Sequence, residues 1–188
     1  MSQEHVEFVR KPLPVRAQSS RTLDQRLALR FPWLGDANVR LIDRLPLRSR
    51  LRQAVVWRTA RLGVEAYNRR DLDANLIGFP SGLEYYPARE LVEAGLVEPC
   101  YRGPEGYRQY VAAWNEVWGE SDYLERVEVI DTGDRIVLLA TAPMRAQASG
   151  VPLTESYAMV STFKDGRAVR IDEYFNHAEA LEAIGLSE

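Results

Sequence analysis

At 188 residues, with one cysteine and a net charge of −3, the chain suits one domain with an appendage, and Cys100 cannot close an intrachain disulfide. No apolar run approaches the ~20 residues that span a bilayer, and the opening MSQEHVEFVRKPLPVR lacks the apolar stretch of a secretory signal, so no membrane partner is expected and the cytoplasm is the expected compartment. Charge is uneven: residues 1–61 hold 13 Lys and Arg against 5 Asp and Glu, while 62–188 hold 11 against 22. The arginines are dispersed among apolar residues, which reads as a solvated helix face or an arm on the acidic body rather than a nucleic-acid surface.

Residues 1–20 are polar, hold Pro12 and Pro14, and show no period, so they read as a tail. Leu23, Leu27 and Phe31 predict a short helix stopped at Pro32, and Leu41, Ile42 and Leu45 a second ended by Pro46. A long helix begins near Ser49, with Leu51, Val55, Thr59, Leu62 and Ala66 on one stripe and Val56, Ala60, Val64 and Tyr67 widening it. Asp71 caps another short helix, Leu83 to Tyr86 suits a brief strand, and 87–102 reads as a loop with one helical turn.

Gly103-Pro104-Glu105-Gly106 opens a helix whose Tyr107, Tyr110, Val111, Trp114, Val117 and Trp118 make an aromatic face. Strands follow at Leu124 to Ile130 and Ile136 to Met144, then Tyr157 to Phe163 and Ala168 to Phe175, the last two joined by a Lys164-Asp165-Gly166 corner. Asn176 and Gly185 bracket a closing helix, with Glu179 placed to reach back onto its first turn. The order argues α+β, with helices covering one face of a curved antiparallel sheet.

Over roughly residues 49–186 the segments AYNRRDLD, YRGPEGYRQYVAAW, TGDRIVLLAT and FKDG...EYFNHAEALEAIGL resemble the SnoaL-like branch of the NTF2-like superfamily. The resemblance implies a cone, a curved antiparallel sheet wrapped around helices with a pocket at the open end, preceded by an N-terminal tail and helical extension at 1–48 and filling 49–188. It also implies a homodimer through the outer sheet face. The superfamily hosts isomerases, cyclases, dehydratases, epoxide hydrolases and noncatalytic modules, so the reaction rests on single residues. Where ketosteroid-isomerase-like proteins keep a general-base Asp, a Tyr and a second Asp, this chain has Tyr86, Gly63 and Met159. The Arg-x-Asp pair of limonene-epoxide-hydrolase-like proteins falls at Ala140 and Ala142 and their Asn at Pro87, while their Tyr is kept as Tyr85 and their last-strand carboxylate as Glu173. The histidines of scytalone-dehydratase-like proteins have no equivalent, since only His5 and His177 exist. SnoaL cyclases use an acidic residue near the end of the sheet, which leaves Glu173 or Asp172.

Strand alternation puts Val169, Ile171, Glu173 and Phe175 on one mostly apolar face, where desolvation raises a carboxyl's pKa toward general acid or base work. Glu155, Tyr157 and Met159 share a face of the neighbouring strand, and the resemblance adds Tyr67, Tyr85 and Trp114 to the same cavity. The expected reaction is cofactor-independent proton transfer on a hydrophobic carbonyl compound. Glu173 would move the proton and Tyr85 or Tyr157 would hold the oxygen, while Tyr67, Trp114, Met144, Glu155 and Phe175 bind substrate. The alternative for Glu173 is an ion-paired or hydrogen-bonded strand residue, held by Arg145 or a tyrosine. The alternative for the chain is a noncatalytic ligand-binding or dimerisation module. No Gly-x-Ser-x-Gly elbow, phosphate loop, dinucleotide fingerprint or Cys/His ligand pair occurs, so neither cofactor nor metal is expected.

Overall fold

The computed structural model describes residues 7–15, 20–119, 123–145 and 152–186, with backbone alone at Val117, Met144, Arg145 and residues 152–155. In chain order come β1 (Val9–Pro12), α1 (Leu23–Arg30), α2 (Trp33–Arg44), α3 (Arg50–Asn68), α4 (Leu72–Asn75), β2 (Glu84–Tyr86), α5 (Arg89–Glu93), β3 (Tyr101–Arg102) and α6 (Gly103–Trp118). Then follow β4 (Glu125–Asp131), β5 (Arg135–Arg145), β6 (Pro152–Lys164), β7 (Arg167–Tyr174) and α7 (His177–Glu182).

Local chemistry sets the helix starts. Thr22 and Gln25 form a capping box on α1, while Ser49 accepts from the Arg52 amide, Asp71 from the Ala74 amide and Asn176 from the Ala178 amide. The β6–β7 corner has positive φ at both Asp165 (51°) and Gly166 (68°), the backbone that lets two strands close through a two-residue turn without losing their twist.

One seven-stranded sheet runs β1-β4-β5-β6-β7-β2-β3. All its pairs are antiparallel except β2 with β7, which is parallel with Tyr85 opposite Ile171 and Tyr86 opposite Asp172. The inner face packs on α3 and α6 through Val56, Val64, Tyr107, Tyr110, Trp114, Val127, Val129 and Ile171. On the outer face, Ile130, Val137, Leu139, Ala158 and Val160 meet Ala180, Leu181 and Ile184 at the chain's end. A curved, unclosed, antiparallel-dominated sheet with mixed helices is the α+β architecture expected.

Three local expectations change. Residues 9–12, read as tail, form an edge strand on β4, where Arg10 Nε donates to Glu128 at 2.7 Å and Lys11 Nζ to Gln53 at 2.6 Å. An edge strand tolerates Lys and Pro, so it leaves no hydrophobic alternation to read. The 87–102 loop holds the short β3 as well as the helical turn α5. Val169 does not join Ile171 and Glu173 inside, because a register shift between Thr162 and Phe163 places Ala168 against the core and leaves Val169 exposed.

The extension is anchored at Arg52, which is 2% exposed. Its guanidinium donates twice to Asp131 (Nε–Oδ2 2.7 Å, Nη2–Oδ1 2.8 Å), to Ile42 O (2.7 Å) and Leu45 O (3.2 Å) at the end of α2, and to Gly133 O (2.6 Å). Replacing Arg52 by Met leaves Asp131 charged and uncompensated, which is expected to cost about 3–5 kcal/mol in urea unfolding. Arg52→Met combined with Asp131→Leu should recover part of that loss.

Candidate functional site

Glu173 is brought inward by β7, with a side chain 4% exposed. Parallel pairing carries β2 past it so that the Ala88 N–H, just beyond the strand, donates to Oε2 at 3.1 Å. From α6, one turn after Tyr107, the Tyr110 hydroxyl donates to the same oxygen at 2.6 Å. Around it the phenol rings interlock: Tyr85 lies 4.7 Å from Tyr110 and 4.9 Å from Tyr107 between centroids, and Tyr101 lies 5.6 Å from Tyr110.

Burial pushes the Glu173 carboxyl up to about 7, and the Tyr110 hydroxyl, the Ala88 amide, Tyr157 and Tyr85 only partly offset this by favouring the charged form. Tyr157 and Tyr85 act through their nearness, since neither closes a bond of ordinary geometry on Oε1. Both Glu173 Oε1 and Tyr85 Oη are buried without a hydrogen-bond partner among the described residues. The Tyr85, Tyr110 and Tyr157 hydroxyls are themselves pushed well up, first by burial and then by the charges near them, the Glu173 carboxylate included, so they stay neutral donors.

Beside this cluster lies a cavity of about 510 Å³ between the sheet's inner face and α1, α2 and α3. Its sheet wall is built by Ile136, Leu138, Tyr157, Met159, Phe163 and Ile171. Tyr67 and Tyr157, both anticipated from the sequence, line it together with Tyr107. Glu173, Tyr85 and Trp114 do not. Glu173 and Tyr85 stand behind the tyrosine wall, and Trp114 packs between Tyr110, Trp118 and Phe175 at centroid distances near 6 Å. Phe175 belongs to that same packing. Met144 and Glu155 pair on the backbone with Leu153 and Ala142, and their side chains lie outside the described residues.

The sequence reading missed Tyr110 as the partner of Glu173, although a phenol on a buried helix face must place its hydroxyl somewhere. The Ala88 amide leaves no sequence signal at all. His177 was seen only as the start of a helix. Its Nε2 lies 2.8 Å from Ala140 O and 3.1 Å from Tyr157 O. Both are acceptors, so that nitrogen carries the proton and ties β5 to β6 at the level of Tyr157. Among the described residues no cluster of His, Cys, Asp or Glu is placed to hold a metal ion, and no helix is long and apolar enough to cross a membrane.

No protein-family model and no curated protein matches the chain. Solved structures do. An NTF2-like protein of unknown function from Burkholderia pseudomallei superposes with a TM-score of 0.56 and 26% identity, over 66% of this chain and 93% of that one. TerC, co-crystallised with polyporic acid, gives 0.55 and 24% over 68% and 95%. A candidate polyketide cyclase from Xanthomonas campestris pv. campestris gives 0.51 and 17% over 66% and 92%. With its curved sheet wrapped around inner helices, the chain has the NTF2-like fold.

Proposed function

We propose that the chain binds a hydrophobic small molecule in the 510 Å³ cavity and, at its tyrosine wall, moves a proton on a carbonyl group without a cofactor. Isomerisation, cyclisation and dehydration all need such a step. The observation that carries this reading is Glu173: a buried carboxyl with no cationic partner among the described residues, pushed up to about 7 beside neutral phenols. A group poised near neutral pH can both give and take a proton. Tyr107 and Tyr157 are the members of the cluster in contact with the cavity; the Tyr157 O–H hydrogen-bonds the ligand oxygen that gains charge, and the Glu173 carboxylate takes up the proton that the ligand's α-carbon loses.

A second reading, a noncatalytic binding module, is favoured by one observation: Glu173 does not line the cavity and its Oε1 is closed off. The two separate in a screen of neutral aromatic ketones and enones, with polyporic acid included because it co-crystallised with the neighbour TerC. Thermal shift reports binding, and exchange of ligand α-protons with D2O, followed by NMR, reports proton transfer. For the catalytic reading, Glu173→Gln should lower exchange by about 100-fold or more with binding little changed, and Tyr157→Phe by about 10- to 100-fold. Ligands that bind wild type without any exchange establish the module instead.

The raised carboxyl also predicts a pH dependence. Its folded value, about 7, lies above the ordinary 4.5, so the native state holds this proton more tightly than the unfolded chain. The stabilisation from that proton is complete below about pH 4.5 and lost as pH rises through 7, a change of about 3 kcal/mol. In urea unfolding, Glu173→Gln should therefore gain about 3 kcal/mol on wild type between pH 4 and pH 8. A difference that stays constant with pH would show that Glu173 titrates normally.

A further inference from the structure

The cavity wall facing the sheet is shared between the helical extension and α3, with α4 and the turn after it at one side. Leu27 and Ala28 of α1, and Leu34, Val39 and Ile42 of α2, line it opposite Leu138, Met159 and Phe163 of the sheet. These helices are fastened down along their length. At the start, Arg21 donates to both oxygens of Asp71 (2.7 and 2.8 Å) and holds that carboxyl well below the usual range. Arg58 pairs with Asp24, Gln25 Nε2 donates to Leu62 O at 3.1 Å, and Asn38 Nδ2 donates to Thr59 at 2.8 Å. At the end, Arg52 takes two carbonyls of the α2 terminus. In the middle, Gly35 comes so near the chain that a Cβ there would sit 3.0 Å from Gly78 N, so α2 lies directly on the turn after α4.

The bonds on this side also fix the cavity's chemistry. Asp24, Arg58, Gln25, Asn38, Thr59 and Asn75 all line it, and the donors are taken up by neighbours: the two charges pair with each other, Asn38 donates to Thr59, and Gln25 and Asn75 donate to the α3 carbonyls of Leu62 and Gly63, which leaves Asn75 Oδ1, on α4, as a buried acceptor without a partner among the described residues. What α1 and α2 offer a ligand is therefore mainly apolar surface, while the tyrosine wall offers hydroxyls and Asn75 of α4 one acceptor oxygen. The structural neighbours are covered to 92–95% of their own length but match only 66–68% of this chain. About a third of the chain has no counterpart in them.

We propose that α1 and α2 are part of the ligand site, forming a roof that this chain adds to the fold and that selects the ligand. The ligand is a neutral molecule with one polar end: its oxygen meets Tyr157 and its apolar body lies beneath Leu34 and Val39. This rests on reading the cavity as a ligand site, and the experiment below separates the two.

The probe is N-phenyl-1-naphthylamine, neutral and largely apolar, titrated by fluorescence into the full chain. Val39→Trp fills the cavity from the roof, Met159→Trp fills it from the sheet, and Leu41→Trp adds the same group at an exposed position of α2. Circular dichroism and thermal melting establish that each variant folds, and Leu27→Trp replaces Val39→Trp if that variant does not. Tenfold or greater weakening by both cavity variants, with Leu41→Trp unchanged, is the expected result. Undiminished binding by the folded roof variant, with loss in Met159→Trp, overturns the roof and leaves the cavity reading standing. A wild-type chain that does not bind the probe, or binds it equally in all three variants, overturns both.

Discussion

The buried pair Arg52–Asp131 decides how the rest of the molecule is arranged. A guanidinium taken out of water is costly unless every donor is used and its charge is met. Here two N–H groups grip one carboxylate and the others take backbone carbonyls at the end of α2 and the β4–β5 corner. Leu45 O and Gly133 O are acceptors of the kind that a helix end and a tight turn must otherwise leave to solvent, and Ile42 O takes the guanidinium in addition to the Leu45 amide. One side chain on α3 thus meets both the end of α2 and the β4–β5 corner, and in doing so ties α2 to the sheet. A hydrophobic replacement could pack the same space, but it would take the side-chain donor away from Leu45 O and Gly133 O and leave Ile42 O with the Leu45 amide alone.

Given that placement, the interior divides into two chemically different compartments. On one side of the tyrosine wall, aromatic rings enclose a single carboxyl. On the other, aliphatic side chains from α1, α2 and the sheet enclose open space. Tyr107 and Tyr157 belong to both. The division follows from the sheet's alternation and from the face of α6: β7 delivers Ile171 toward the cavity and Glu173 toward the rings, two residues apart on the same side of the strand.

Much of this was legible from residue order because it rests on local rules. The caps at Ser49, Asp71 and Asn176, the Asp165-Gly166 corner and the inward face of Glu173 each depend on a few neighbouring positions. What was not legible depends on partners distant in the chain. Arg52 lies 79 positions from Asp131, and on a helical wheel it looks like any surface arginine. The strand at Val9–Pro12 is specified by β4 rather than by its own pattern. Val169 was misplaced because a bulge shifts every side chain beyond it to the other face. Tyr85 and Trp114, expected in the cavity, are buried outside its lining, because which side of the wall an interior aromatic occupies is set by packing, not by spacing. The extension gave helix signals without any hint that its apolar face meets a cavity.

The Ala88 amide on Glu173 carries a consequence of its own. A backbone N–H cannot be removed by changing a side chain, so the carboxyl's tether to the segment after β2 persists through any drift of residue type there except to proline. That segment leads directly into α5 and the return to β3. The charge on one buried oxygen and the path of the surface chain at 87–102 are therefore mechanically one object. The oxygen that accepts from Ala88 also accepts from Tyr110, so one carboxylate oxygen joins the segment at the sheet's edge to α6.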